Sequence, residues 1–337
     1  MLGTKKSSNL ATEELARLRD ELGTLKARLE SLEVAASRKP PAINIADVCS
    51  IRPPRPLAEP IGTVRELAQK ETDIDHFSGI DHEVHLEAFM DRDLQQVPAL
   101  EDREHYFPGQ DLDYWLSGLR DYLRINQELE NAGRPLNAGD RLFDFGAASG
   151  RVLRHFAAQQ PDIDLACADV NENHVEWVSK HLASDAYAFQ CTNIPSLPIE
   201  DNSFDLVYAF SVFTHMDELE TTWLAELRRI LRPGGYAYFS VQTEDTWKLL
   251  NPDHFLYGHL LYNQANLPDW EIKPELFENP MPSEKVVFRF ENSSVYNTCT
   301  FQSKAYVKEV WGRFFDIEKI LYCGHDFQDV VLMRKPN

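Results

Sequence analysis

The sequence predicts an α/β protein built on a seven-stranded sheet that is parallel except for its last strand, preceded by a helical coiled-coil arm. Three observations predict it. From residue 141, strand-like apolar runs alternate with segments of helical period, the pattern of a parallel sheet covered by helices on both faces. The final two strand-like runs are joined by a connection too short for a crossover, so they pair antiparallel. Finally, the first 36 residues carry leucines at heptad spacing.

The arm comes first. Leu15, Leu18, Leu22, Leu25, Leu29 and Leu32 alternate in steps of three and four, so all six fall on one narrow stripe flanked by Glu, Arg and Lys. A stripe this narrow suits helix pairing better than packing on the protein's own domain. Gly23 weakens it, and about three heptads is near the minimum for a stable coiled coil. Residues 1–36 are expected to form the arm, with residues 11–35 pairing with a second copy or a partner protein.

Residues 37–110 read as a proline-rich linker followed by an acidic segment. Six prolines between Lys39 and Pro60 favour extended chain, and a helix is expected around Val64 to Lys70. In DHEVHLE, His82 and His85 stand among carboxylates, but no third ligand is marked, so a solvated polar face is expected and no metal. DLDYWLSGLRDYLRINQELENAG has helical period and ends at Gly133, opening a domain over residues 111–337.

Within that domain RLFDFG, DLACADV, AYAFQC, FDLVYAFSVF and GGYAYFSVQ read as strands. RVLRHFAAQ, ENHVEWVSKHL and ELETTWLAELRRIL read as the helices between them. An insertion over 243–303 follows, then the helix SKAYVKEVWGR and the strands FFDIEKILY and DVVLMRK.

Composition narrows the function. A chain of 337 residues with 43% hydrophobic content can bury a substantial core. A formal charge of -20 is repelled by phosphate backbones and anionic membranes, which argues against nucleic acid as substrate. Cys49, Cys167, Cys191, Cys299 and Cys323 are scattered without a CxxC pair, as in a reducing compartment, so a cytoplasmic protein is expected. No stretch reaches the roughly 18 apolar residues a membrane span needs.

The chemistry is expected in DFGAASGR, between the first strand and its helix, where a doubly wound sheet binds ligands. Gly146, Ala147, Ala148 and Gly150 let the backbone approach a ligand, and the helix start at Ser149 to Arg151 offers amides to an anionic group. A dinucleotide fingerprint would need glycine at 148 and 151, where this chain has Ala148 and Arg151. Asp144 moreover sets a carboxylate where a pyrophosphate would be repelled and an ammonium group attracted.

With these residues the chain resembles the class I methyltransferases, whose Rossmann-like domain opens on an acidic, glycine-rich motif. The resemblance covers about residues 135–335 and implies S-adenosyl-L-methionine as cofactor. It assigns Asp144, Gly146, Ala147, Ala148, Gly150 and Arg151 to the cofactor, and Asp169 with Val170 to its ribose. Asn193 and Ile194 would meet adenine, and Phe210 and Ser211 the methionine half. ELRRILRPGGYAYFSV corresponds to the family's helix, turn and fifth strand, and Asp205, Gly234 and Gly235 read as structural. Ala147 and Ala148 depart from the family's commonest glycine pattern by one methyl each.

For catalysis two candidates follow. His215, in SVFTHM after the fourth strand, has the pKa range of a general base, with a loop-fixing histidine as the equal alternative. Glu244 opens the insertion at the end of the fifth strand, beside Asp245. The insertion carries Trp247, Phe255, Tyr257, His259, Tyr262, Trp270 and Phe288 and is expected to act as a substrate lid. Tyr106 and Tyr114 would close the pocket from the other side. An amide-methylating N-P-P-Y-like signature is missing after the fourth strand, so the expected reaction is O-methylation of a small molecule or sugar. The alternatives are a non-catalytic cofactor-binding scaffold recruited through the coiled coil, and an NAD-dependent oxidoreductase.

Overall fold

The computed structural model describes residues 55–69, 85–182, 186–291 and 297–337, with Lys26 the one described residue before them. The leucine stripe, the prolines up to residue 54 and His82 lie outside these residues. Those from Arg55 onward form one compact unit.

The unit opens with β1 (Gly62–Thr63), α1 (Val64–Ala68), α2 (Leu86–Arg92) and β2 (Gln96–Val97), which pairs antiparallel with β1. Thr63 and Glu66 cap α1 reciprocally. The long helix α3 (Asp111–Asn131) follows, and Gly133 at φ +74° ends it in the left-handed conformation that glycine adopts without strain. Next come β3 (Arg141–Phe145), α4 (Leu153–Gln159), β4 (Asp164–Asp169), α5 (Glu172–His181), β5 (Tyr187–Gln190), β6 (Phe204–Ala209), α6 (Glu220–Ile230) and β7 (Leu231–Val241). The insertion supplies α7 (Glu244–Leu249), α8 (Phe255–Tyr262), α9 (Pro274–Glu278), β8 (Lys285–Arg289) and β9 (Thr298–Gln302). The chain then runs through α10 (Lys304–Val310), β10 (Asp316–His325) and β11 (Gln328–Arg334).

Seven strands form the main sheet in the order β10-β11-β7-β6-β3-β4-β5. β11 runs antiparallel to both its neighbours and the other pairings are parallel, as expected from the short final connection. Alternation along the strands feeds two cores. Leu142, Leu206, Tyr208, Tyr238 and Leu332 face Trp115, Leu119 and Ile125 of α3. Phe143, Val207, Phe239, Val331 and Met333 face Trp223, Leu224 and Leu227 of α6 and the buried Trp311. The insertion has a separate core around Trp247, Phe277, Phe288 and Phe301.

Two sequence readings change. The described parts of the stretch expected to be linker and acidic segment, residues 55–69 and 85–110, pack against the sheet domain, so the boundary placed at residue 110 does not mark a change in packing. Its anchor is Asp93, fully buried, which accepts from Arg154 Nε at 2.8 Å and Trp115 Nε1 at 2.6 Å. The backbone N–H of Ala58 donates to Asp102 at 2.9 Å, and that of Arg55 to Asn173 at 3.3 Å. Second, the helix after the first strand begins at Leu153 rather than Arg151, because Gly150 at φ +78° still belongs to the turn.

Gly118 explains how α3 reaches that turn. A Cβ there would lie 2.1 Å from the carbonyl oxygen of Arg151, so only glycine allows the helix backbone to come this close. Gly118→Ala should therefore push α3 off the turn at a cost of about 1–3 kcal/mol. The corresponding fall in the urea midpoint, with the slope of the transition unchanged, is the measurement that checks it.

Candidate active site

The carboxyl ends of β3 and β4 bring the predicted motif together. Asp144 is buried within β3, and Gly146 turns the chain at φ +77°, where a Cβ would strike Val212 at 2.4 Å. Ala148 takes a left-handed φ of +47° and donates its N–H to Asp169 Oδ2 at 2.8 Å. The glycine-rich turn is thereby fastened to the acid ending β4. Asp169 also accepts from the Asn171 N–H at 2.8 Å, and His174 Nδ1 stands 3.3 Å from its Oδ1. Burial raises the pKa of this carboxyl, but His174 and the two amides outweigh it and keep the group ionised below the usual carboxylate range.

Asp144 behaves in the opposite way. Burial, with Asp169 nearby, pushes its pKa up to about 7 against the pull of Arg151 and Tyr208, and it makes no ion pair among the described residues. A desolvated acid with no bound cation, beside a close-approach turn, is what a ligand's ammonium group requires. Further along, Val170 and Ile194 are apolar side chains left 47% exposed at the ends of β4 and β5, as a flat base would need. Asn193 is positioned by its carbonyl, which accepts from Trp223 Nε1 at 3.1 Å.

At the end of β6, Phe210 and Ser211 lie beside the turn between β10 and β11. Ser211 takes a left-handed φ of +57°, donates its N–H to Ser240 Oγ at 2.7 Å and accepts from Gln328 Nε2 at 2.9 Å. Phe210 packs against His325 with the rings tilted 41° and their centroids 4.6 Å apart. Arg151, assigned to the cofactor by resemblance, turns toward α3. Its Nη1 lies 2.7 Å from Asp121 Oδ2 and donates to Ser117 Oγ at 3.2 Å, with the guanidinium over the Phe210 ring.

Asp121, like its partner His325, was missed by the sequence reading. Its carboxylate is fully buried and lies 3.0 Å from His325 Nδ1. Burial opposes the charge, but His325 and Arg151 hold its pKa far below the usual carboxylate range.

The two catalytic candidates sit elsewhere, at the root of the insertion. His215 is half-buried, with Nδ1 2.8 Å from the Thr298 carbonyl, while Thr298 Oγ1 donates back to the His215 carbonyl at 2.7 Å. Burial lowers its pKa, so the ring is neutral at physiological pH. Glu244 accepts the N–H of Lys304 at 2.8 Å, joining the start of the insertion to its end. Asp245 pairs with Lys304, whose hydrogen bond holds its pKa down. Tyr114 is buried with its hydroxyl 2.9 Å from Ser149 Oγ in the turn, whereas Tyr106 is 45% exposed. His85 is exposed at the start of α2, and no group of three or more metal-binding side chains occurs among the described residues. Nor is any helix among them long and apolar enough to cross a membrane.

A doubly wound sheet whose first two strands end in acids linked through a glycine-rich turn, and whose end is reversed by one antiparallel strand, defines a Rossmann-like domain that binds an adenosine cofactor. Residues 143–239 match the family described as methyltransferase domain. The chain thus carries a class I S-adenosylmethionine-dependent methyltransferase domain, and S-adenosylmethionine is the cofactor of that domain.

Among similar proteins are the 27-O-demethylrifamycin SV methyltransferase of Amycolatopsis mediterranei, 33% identical over 30% of this chain and 38% of its own length, and the 24-methylenesterol C-methyltransferase 2 of Arabidopsis thaliana, 25% identical over 40% and 38%. The chain thus spans well under half the length of these curated relatives. A solved S-adenosylmethionine-dependent methyltransferase of Methanosarcina mazei is 17% identical, with 60% of this chain and 94% of that one covered and a TM-score of 0.41.

Proposed function

We propose that this protein transfers a methyl group from S-adenosylmethionine to an oxygen of a small molecule or sugar. The observation that carries the reading is the buried, cation-seeking Asp144 beside the turn fastened to Asp169. Asp144 would hold the ammonium of the cofactor's methionine half, Asp169 the ribose hydroxyls, and Val170, Asn193 and Ile194 the adenine. When bound, the cofactor supplies an electrophilic methyl on a sulfonium that departs as a neutral thioether.

The oxygen acceptor is supported by the Asp121–His325 pair at the same edge of the sheet. With Nδ1 3.0 Å from Asp121, His325 would take the proton of the acceptor hydroxyl on methyl transfer, and Asp121 would stabilise the resulting imidazolium. His215, with Nδ1–H given to the Thr298 carbonyl, is retained as a second proton acceptor. Glu244 and the insertion close the acceptor side. We assign residues 11–35 to pairing with another helix and the protein to the cytosol, on the leucine spacing and the dispersed cysteines.

Titration calorimetry with S-adenosylmethionine and S-adenosylhomocysteine, with NAD as control, tests the cofactor reading. Saturable binding of the first two, lost in Asp169→Ala, is expected; NAD binding alone would favour an oxidoreductase. Screening sugars and phenols with radiolabelled cofactor then tests the acceptor, and binding without turnover on any acceptor would favour the scaffold. On an accepted substrate, His325→Gln should lower kcat by about 10²-fold or more.

A further inference from the structure

The loop between β2 and α3 carries an unusual backbone. Glu104, His105 and Phe107 take left-handed φ values of 53°, 61° and 57°, and Gly109 follows at 72°. Each non-glycine residue held there costs of order 1 kcal/mol or more, and such residues gather where a ligand is clamped. The loop touches the cofactor site at two points. Phe107 packs edge-on against Tyr114, whose hydroxyl meets Ser149 of the glycine-rich turn. At its other end, Glu104 Oε1 lies 3.7 Å from His174 Nε2 and accepts from Asn171 Nδ2 at 3.4 Å. The His174 side chain is 3% exposed, and its other nitrogen faces Asp169.

We propose that Glu104 and His174 are positioning residues for the cofactor, forming with Asp169 a row, carboxylate to imidazole to carboxylate, that fixes the Asp169 carboxylate to receive the ribose hydroxyls. This inference rests on the cofactor reading above. A carboxylate held only by the amides of Ala148 and Asn171 could still rotate within the plane they define. The buried imidazole on Oδ1 removes that freedom, and Glu104 holds the imidazole from the far side. The segment ahead of α3 thereby becomes part of the cofactor site, and its strained loop is the strap that delivers Glu104 there.

The test is titration of S-adenosylhomocysteine and its 2′-deoxy analogue into the wild type, Glu104→Gln and His174→Gln, with thermal unfolding of each ligand-free protein. The wild type should prefer the ribose form, and each variant should lose about tenfold in affinity for that form while binding the 2′-deoxy analogue nearly as before. Equal losses for both ligands, or no loss, would overturn the positioning role. If His174→Gln fails to fold, Glu104→Gln, on a partly exposed side chain, decides alone. A wild type that binds neither ligand would instead overturn the cofactor reading, and this inference with it.

Discussion

Asp144→Asn is expected to make the ligand-free protein more stable and its cofactor complex weaker. Burial raises the Asp144 pKa from an ordinary 3.8 to about 7, so the folded state holds this proton far more tightly than the unfolded chain does. The stabilisation from the protonated form is present in full below pH 3.8, is lost as pH rises, and is gone above about pH 7. The ionised form then carries a penalty on the order of 4 kcal/mol at most, which an amide of the same shape removes. Thermal unfolding of both proteins should show the advantage of the variant growing between pH 4 and pH 7 and level above. On the proposed cofactor reading the same substitution removes the partner of the ligand's ammonium, so affinity for S-adenosylhomocysteine should fall about 30- to 100-fold. In the wild type that affinity should tighten as pH rises toward 7, because the proton need no longer be expelled. A variant no more stable than the wild type at pH 8 would contradict this account.

The second large effect is structural. Asp93→Ala would leave the Arg154 guanidinium, 1% exposed, without its carboxylate, and would also deprive Trp115 Nε1 of its acceptor. Breaking a buried pair from one side costs about 3–5 kcal/mol. For a unit of this size that lowers Tm on the order of 10 °C. Because Asp93 joins the segment before α3 to α4, protease cleavage within residues 85–110 should rise alongside. A loss below 1 kcal/mol would mean that this segment is held mainly by its apolar contacts.

The legibility of this molecule follows the range of its interactions. The strands β3, β4, β6, β7 and β11 were readable because parallel and central strands are apolar on both faces, and the acids proposed to hold the cofactor could be named because they sit at fixed places along those strands. Asp121 and His325 were not. They meet only because α3 crosses over the turn between β10 and β11, and an aspartate inside a helix gives no local sign of such a partner. Asp93 and Arg154 pair 61 residues apart for the same reason. The insertion was recognised as one block, but its short helices and hairpin depend on a shared core, which single-segment periodicity does not reveal. Gly118 did leave a signal. A glycine inside a long amphipathic helix costs about 1 kcal/mol relative to alanine, so its presence asked for a close neighbour that the sequence could not name.

The sheet order bears on how the chain is made. β11 emerges after β10 during synthesis yet lies between β10 and β7. Until it arrives, β10 has no strand to pair with and the open side of β7 is bare, so a nascent chain stalled after residue 325 would expose a ready template for aggregation. The two strands most naturally enter together, as a hairpin closed by the turn at Asp326, zipping onto β7 in one event. That turn brings His325 to Phe210, so the residue proposed to take the acceptor's proton reaches its place only when the sheet is finished. On that proposal, a chain lacking β11 would lack a placed proton acceptor as well as the end of its sheet.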